Sequence, residues 1–114
     1  MHRALLVLLI GVALNIGSAS ADMGRTIQLK HTAVSCATTS TAAVSAHEGR
    51  SLLVLQNDGS NVIYVNFAGA SVANTGLRVN ASGGNVIFDV SVPGQAMTCI
   101  AITGTTTLLV TEGF

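Results

Sequence analysis

Ser51-Leu52-Leu53-Val54-Leu55-Gln56-Asn57-Asp58-Gly59-Ser60-Asn61-Val62-Ile63-Tyr64-Val65-Asn66-Phe67 sets two short apolar runs either side of a polar, turn-forming centre. Leu, Val, Ile and Tyr at this density, in runs too short for a helix, read as strands. The five-residue link Asn57–Asn61 contains Asp58-Gly59, residues that tolerate positive φ, so the pattern predicts a β-hairpin. The unbroken Leu52–Leu55 run suits a strand covered on both sides or one at the edge of a tightly packed sandwich.

The same grammar continues in both directions. Upstream, Thr26–Val34 alternates, with Ile27, Leu29 and Ala33 expected on an apolar face that also carries His31, and Gln28, Lys30 and Thr32 opposite. The Thr-, Ser- and Ala-rich stretch Cys36–Ala46 is too polar for a central strand and reads as an edge strand or a loop. Downstream, Leu77–Val79 is short, and Asn80-Ala81-Ser82-Gly83-Gly84 is a turn. Val86, Phe88 and Val90 alternate with Ile87, Asp89 and Ser91, and Val92 extends the apolar face up to Pro93-Gly94, predicting a strand with one wet face. Met97–Ile102 and Thr107–Thr111 form a last expected pair, joined through Thr103–Thr106. No internal repeat is visible. The expectation is an all-β fold, a single antiparallel β-sandwich or jelly-roll-like domain of about seven strands.

Composition narrows the class of function. Of 114 residues, 49% are hydrophobic and 9% charged, with formal net charge zero. Arg3, Arg25, Lys30, Arg50 and Arg78 are scattered, whereas phosphate-backbone affinity comes from clustered cations, so no nucleic-acid partner is expected. Disordered chains are poor in apolar residues and rich in charge, which this one is not.

The first residues follow the plan of a secretion signal: His2 and Arg3, an apolar run Ala4–Leu14, then Ala19-Ser20-Ala21 as an A-x-A cleavage site before Asp22. A spanning helix needs about 20 apolar residues, and Asn15 interrupts this run earlier. Residues 1–21 are therefore read as a signal peptide and 22–114 as the β-sandwich domain, exported to a periplasmic or extracellular compartment and free of the membrane in mature form. The alternative is a cytosolic chain starting at Met23. Cys36 and Cys99 are the only cysteines; in an oxidising compartment they suit one disulfide, worth about 4 kcal/mol in the chain-entropy model. In a reducing one they would be two buried thiols.

Chemistry finds little to work with. The carboxylates after the leader are Asp22, Glu48, Asp58, Asp89 and Glu112, three of them directly before a glycine. Acid–base catalysis needs titratable groups that converge, and these read as turn and surface residues. His31, His47, Cys36 and Cys99 match no metal-ligand spacing, and no activating context makes Cys36 and His47 a nucleophile–base pair. The glycine-rich segments lack the strand, lysine and helix of a phosphate cradle. Of the aromatic residues, Tyr64 and Phe114 lie outside expected core positions, Tyr64 with its ring packed and its hydroxyl exposed. Asn80-Ala81-Ser82 matches a glycosylation sequon. No catalytic, cofactor-binding or metal residue is assigned, and the expected protein is not an enzyme.

The Ser51–Phe67 stretch, followed by Gly69-Ala70, Gly76-Leu77, the Gly83-Gly84 turn, Val92-Pro93-Gly94 with Ala96, Ile100-Ala101, Gly104-Thr105 and Val110-Thr111-Glu112-Gly113, resembles small phage and prophage virion proteins of the head-decoration type. The resemblance covers nearly all of Thr26–Gly113. It implies a compact β-sandwich without chemistry of its own that joins a virion surface assembled in the cytoplasm. The leader and the cysteine pair depart from that family. Two functions follow as expectations. One is a structural protein that meets a protein lattice, or further copies of itself as a homo-oligomer, through flat β surfaces and strand edges. The other is an exported module that recognises a surface protein or glycan through the loops Ala68–Gly76 and His47–Arg50.

Overall fold

A computed structural model describes residues 26–114, so the expected signal peptide and its cleavage site lie outside the described residues. Within them the protein is all-β, without a helix. Eight strands form two antiparallel four-stranded sheets packed as a β-sandwich: β1 (Leu29–Cys36), β2 (Thr41–Val44), β3 (Leu52–Asn57), β4 (Ile63–Asn66), β5 (Leu77–Val79), β6 (Asn85–Phe88), β7 (Met97–Ala101) and β8 (Thr106–Gly113). The first sheet has the order β1-β8-β3-β6 and the second β2-β7-β4-β5. The eighth strand beyond the expected seven is β2, the edge strand that the polar Cys36–Ala46 stretch allowed.

Both expected hairpins are corrected. β3 lies in the first sheet and β4 in the second, and β7 and β8 are divided the same way. The Asn57–Asn61 link is therefore a crossing between sheets. It is held by Asn57, which is fully buried. Its Nδ2 donates to the carbonyls of Asn61 at 2.6 Å and Val79 at 3.2 Å, and its Oδ1 accepts from the Gly59 N–H at 2.9 Å. These bonds turn the chain away from its own sheet and tie it to β5. Asp58 and Gly59 do not take positive φ. Glycine is needed at 59 for space, because a Cβ there would stand 1.7 Å from Thr106 Oγ1. Of the consecutive strands, β4 and β5 alone share a sheet as neighbours.

The core lies between the sheets. Leu53, Leu55, Leu108 and Val110 from the first meet Ile63, Val65, Val79, Met97 and Cys99 from the second, all nearly without solvent contact. Alternation along β3 and β8 sends every second residue inward. β3 is interior, flanked by β8 and β6, and its Leu52 and Val54 are half-buried on the other face. Cys36 at the end of β1 and Cys99 in β7 form a disulfide with Cα atoms 5.7 Å apart, linking the two sheets inside the core. Such a bond suits an oxidising compartment.

Two strand readings change. β6 ends at Phe88, and Val90 is 80% exposed instead of extending the apolar face. In β1 the inward residues are Val34 and Cys36, so Lys30 and Thr32 share their face. Leu29, His31 and Ala33 point outward. The inter-sheet disulfide fixes this register, since Cys36 must face the core and the side chains alternate from it.

Candidate functional site

The two sheets treat their outer faces differently. On the second sheet Tyr64, Thr98 and Ile100 point away from the core, yet Tyr64 is only 6% and Ile100 8% exposed. The 67–76 connection between β4 and β5 bonds to Tyr64 and Thr98 on this face. Tyr64 donates its hydroxyl to Asn74 Oδ1 at 3.1 Å and accepts from Arg78 Nη1 at 3.5 Å, so the hydroxyl expected to be exposed is partnered. Thr98 Oγ1 donates to the Gly69 carbonyl at 2.8 Å, which leaves Ser71 Oγ to donate to Thr98 Oγ1 at 2.8 Å. The Ser71 N–H reaches Ser40 Oγ at 2.8 Å. Positive φ at Gly69, Asn74 and Gly76 makes the bends; at Gly76 a Cβ would also meet the Val65 carbonyl at 2.6 Å. Part of the loop expected to recognise a ligand is thus docked on its own sheet.

Among the described residues no connection between strands bonds to the outer face of the first sheet in this way. Register places His31, Thr111, Val54 and Ile87 in one cross-strand row and Ala33, Leu109, Gln56 and Asn85 in the next. Leu29 and Leu52 flank the paired Gly113. Leu29 is 54% and Ile87 58% exposed, while Leu52, Val54 and Leu109 are half-buried. No Lys, Arg, Asp or Glu stands in these rows, across all four strands. His31 is the one titratable side chain, and its Nδ1 lies 2.9 Å from Thr111 Oγ1. A shallow open depression runs over β8, floored by Leu109 and walled by His31, Ala33 and Gln56.

The other sequence candidates are not brought together. Cys36 and Cys99 are consumed in the disulfide and serve neither as ligands nor as nucleophile. His47 packs against Phe114 with ring centroids 4.1 Å apart and planes tilted by 50°, and its Nδ1 accepts the Gly49 N–H at 3.1 Å. Arg50, in the other loop expected to bind a ligand, is buried. Its Nη1 donates to the Pro93 carbonyl at 2.6 Å and its Nη2 to the Ser45 carbonyl at 2.6 Å. It holds the connections around β3 and β7 in place and presents nothing to solvent. Among the described residues no three His, Cys, Asp or Glu side chains gather as a metal site, and no helix is long and apolar enough to cross a membrane.

Sequence alone does not reveal this outer face, because the apolar positions of β1 read equally well as core. An alternating strand carries apolar residues on whichever face is covered, by its own domain or by a partner, and periodicity alone does not separate the two. Comparison of the chain with protein-family models, with curated proteins and with solved structures found no match.

Proposed function

We propose that this protein is a non-enzymatic structural component of a protein assembly, a virion or virion-like surface in the sense of the resemblance to phage decoration proteins, and that it seats the outer face of its β1-β8-β3-β6 sheet on that surface. The observation carrying this reading is the four-strand face without a charged side chain, beside a second sheet whose outer face is roofed by its own loop. Exposed aliphatic side chains on an uncharged face suit contact with another protein, and the absence of charge specifies the partner's chemistry. A polyanion such as nucleic acid, or an anionic membrane, would be met by cations. A flat, uncharged protein surface is met by aliphatic and threonine side chains of this kind.

The second reading, an exported module for a surface protein or glycan, is favoured by one specific observation, the Cys36–Cys99 disulfide. Fractionation of the native source separates the two readings. Density-gradient sedimentation followed by mass spectrometry places an assembly component with large particles. A chain found only in the light soluble fractions, oxidised and starting at Asp22, overturns the assembly reading and leaves the exported module.

A further inference from the structure

We infer that two copies of this chain join edge to edge through β1, in antiparallel register about a two-fold axis at Thr32, continuing the first sheet from one copy into the next. This rests on the assembly reading but uses a different part of the molecule, the strand edge in place of the sheet face.

Each sheet has two edge strands, and three of the four are blunted. β5 has three residues and β6 four. β2 has four and its register shifts between Ala42 and Val44. Short and bulged edges are the usual protection against further pairing. β1 has neither: it runs for eight residues in continuous register with β8 and contains no proline.

Its hydrogen-bonding groups are poised for a partner. Gln28 and Phe114 exchange both backbone bonds, at 3.0 and 2.9 Å, which fixes the alternation along the ladder. Even-numbered residues of β1 bond to β8. Leu29, His31, Ala33 and Ser35 therefore aim N–H and C=O away from it, and all four are exposed. No strand pairs with β1 on that side among the described residues.

The sequence of β1 complements itself in one register. With Thr32 facing Thr32, His31 lies opposite Ala33 and Leu29 opposite Ser35, so all four outward-aimed residues are used in about eight backbone bonds. Lys30, the only charged residue of the strand, then lies opposite Val34 and not opposite its own copy, which avoids a like-charge pair. A shift that brings Lys30 onto Lys30 loses pairs and sets two cations face to face. The joined sheet also continues the charge-free outer face across the two-fold axis, doubling the surface offered to a lattice.

The test uses the full sequence, expressed with its leader and purified oxidised, in sedimentation velocity over a dilution series. Wild type is expected to show a concentration-dependent dimer. Ala33→Pro removes an N–H that, among the described residues, bonds to no other strand, a change an edge strand tolerates. It deletes two symmetry-related bonds, and association weakens by about thirtyfold or more. Retention of the disulfide and of the β-sheet circular dichroism shows that this variant is folded. Independently, Thr32→Cys places two thiols in a non-hydrogen-bonded antiparallel pair about 4.5 Å apart at Cα. Mild oxidation then yields a covalent dimer, and Lys30→Cys does not. Monomers at every concentration overturn the inference, as does a dimer that survives Ala33→Pro or a Lys30→Cys cross-link as efficient as that of Thr32→Cys. Dimerisation lost on Val54→Lys but kept in Ala33→Pro assigns self-association to the sheet face and also overturns the edge. A confirmed β1 dimer found only in light fractions of the native source would instead remove the assembly reading and leave the edge standing.

Discussion

The Arg50 guanidinium stands 3.4 Å from Glu112 Oε1, the arginine side chain wholly withdrawn from solvent and the glutamate nearly so. The pair joins the connection ahead of β3 to the end of β8. The same guanidinium bonds the carbonyls of Ser45, Pro93 and, at 3.5 Å, Gln95. One side chain thus closes one end of the sandwich by satisfying carbonyls of two irregular connections. Removing one partner of a buried ion pair costs about 3–5 kcal/mol, and Arg50→Met also strands the carbonyls. This variant is expected to lose that order of stability in urea unfolding. Glu112→Gln keeps an acceptor oxygen but leaves the buried guanidinium without its counter-charge, and should likewise lose about 3 kcal/mol.

The disulfide ties the end of β1 to the middle of β7 across the core over a sequence separation of 63. Loss of a native disulfide from a small domain costs about 2–5 kcal/mol. For a domain of this size each 1 kcal/mol shifts the midpoint of thermal unfolding by about 4–8 °C. The Cys36→Ser/Cys99→Ser variant should unfold at least about 10 °C below the oxidised protein in calorimetry, and the wild type should approach it when reductant is present during unfolding.

Asn57 ties down the β3–β4 crossing, so its substitution should cost more than an ordinary turn residue. Asn57→Asp keeps the oxygen that accepts from Gly59 but replaces the donor to Asn61 and Val79 with a second acceptor. It sets a buried carboxylate against two carbonyls. An expected loss of about 3 kcal/mol or more is checked by denaturant unfolding, and a cost below about 1 kcal/mol would show that the crossing is held elsewhere.

Gly59→Ala tests the neighbouring constraint. Its Cβ would collide with Thr106 Oγ1, and overpacking of this kind costs about 1–3 kcal/mol. Because the clash is with one side chain, adding Thr106→Ala should recover much of the loss. A double-mutant cycle on the four proteins measures this coupling, expected above about 0.5 kcal/mol. Additive losses would place the strain in the backbone.

What could be read from sequence was local. β3, β4, β5 and β7 fall within a residue or so of the apolar runs that announce them, because alternation and turn residues act over a few positions. Two non-local facts stayed hidden. Gly and Asn around 57–61 and 103–106 announce that the chain turns, but whether it returns to its own sheet depends on where Asn57 finds the Val79 carbonyl. Likewise Leu29, His31 and Ala33 look inward until Cys36 is joined to Cys99, after which the pleat turns them out. Arg50 gave no short-range signal, since its acceptors at 93, 95 and 112 are distant in sequence.

The outer face of the first sheet carries the functional reading, and a substitution there separates stability from interaction. Ile87 is 58% exposed and lies in the row His31, Thr111, Val54. Ile87→Lys places a flexible, solvated charge at the rim of a face that has none, without opening a cavity in the core. Its unfolding free energy should stay within about 0.5 kcal/mol of wild type. A face that seats on an uncharged protein surface must desolvate that ammonium, which costs binding far more than folding. The variant should therefore remain folded and soluble while being depleted from the dense particle fraction of the native source, relative to wild type supplied at the same level. Equal partition of the two proteins would show that this face is not what the assembly holds.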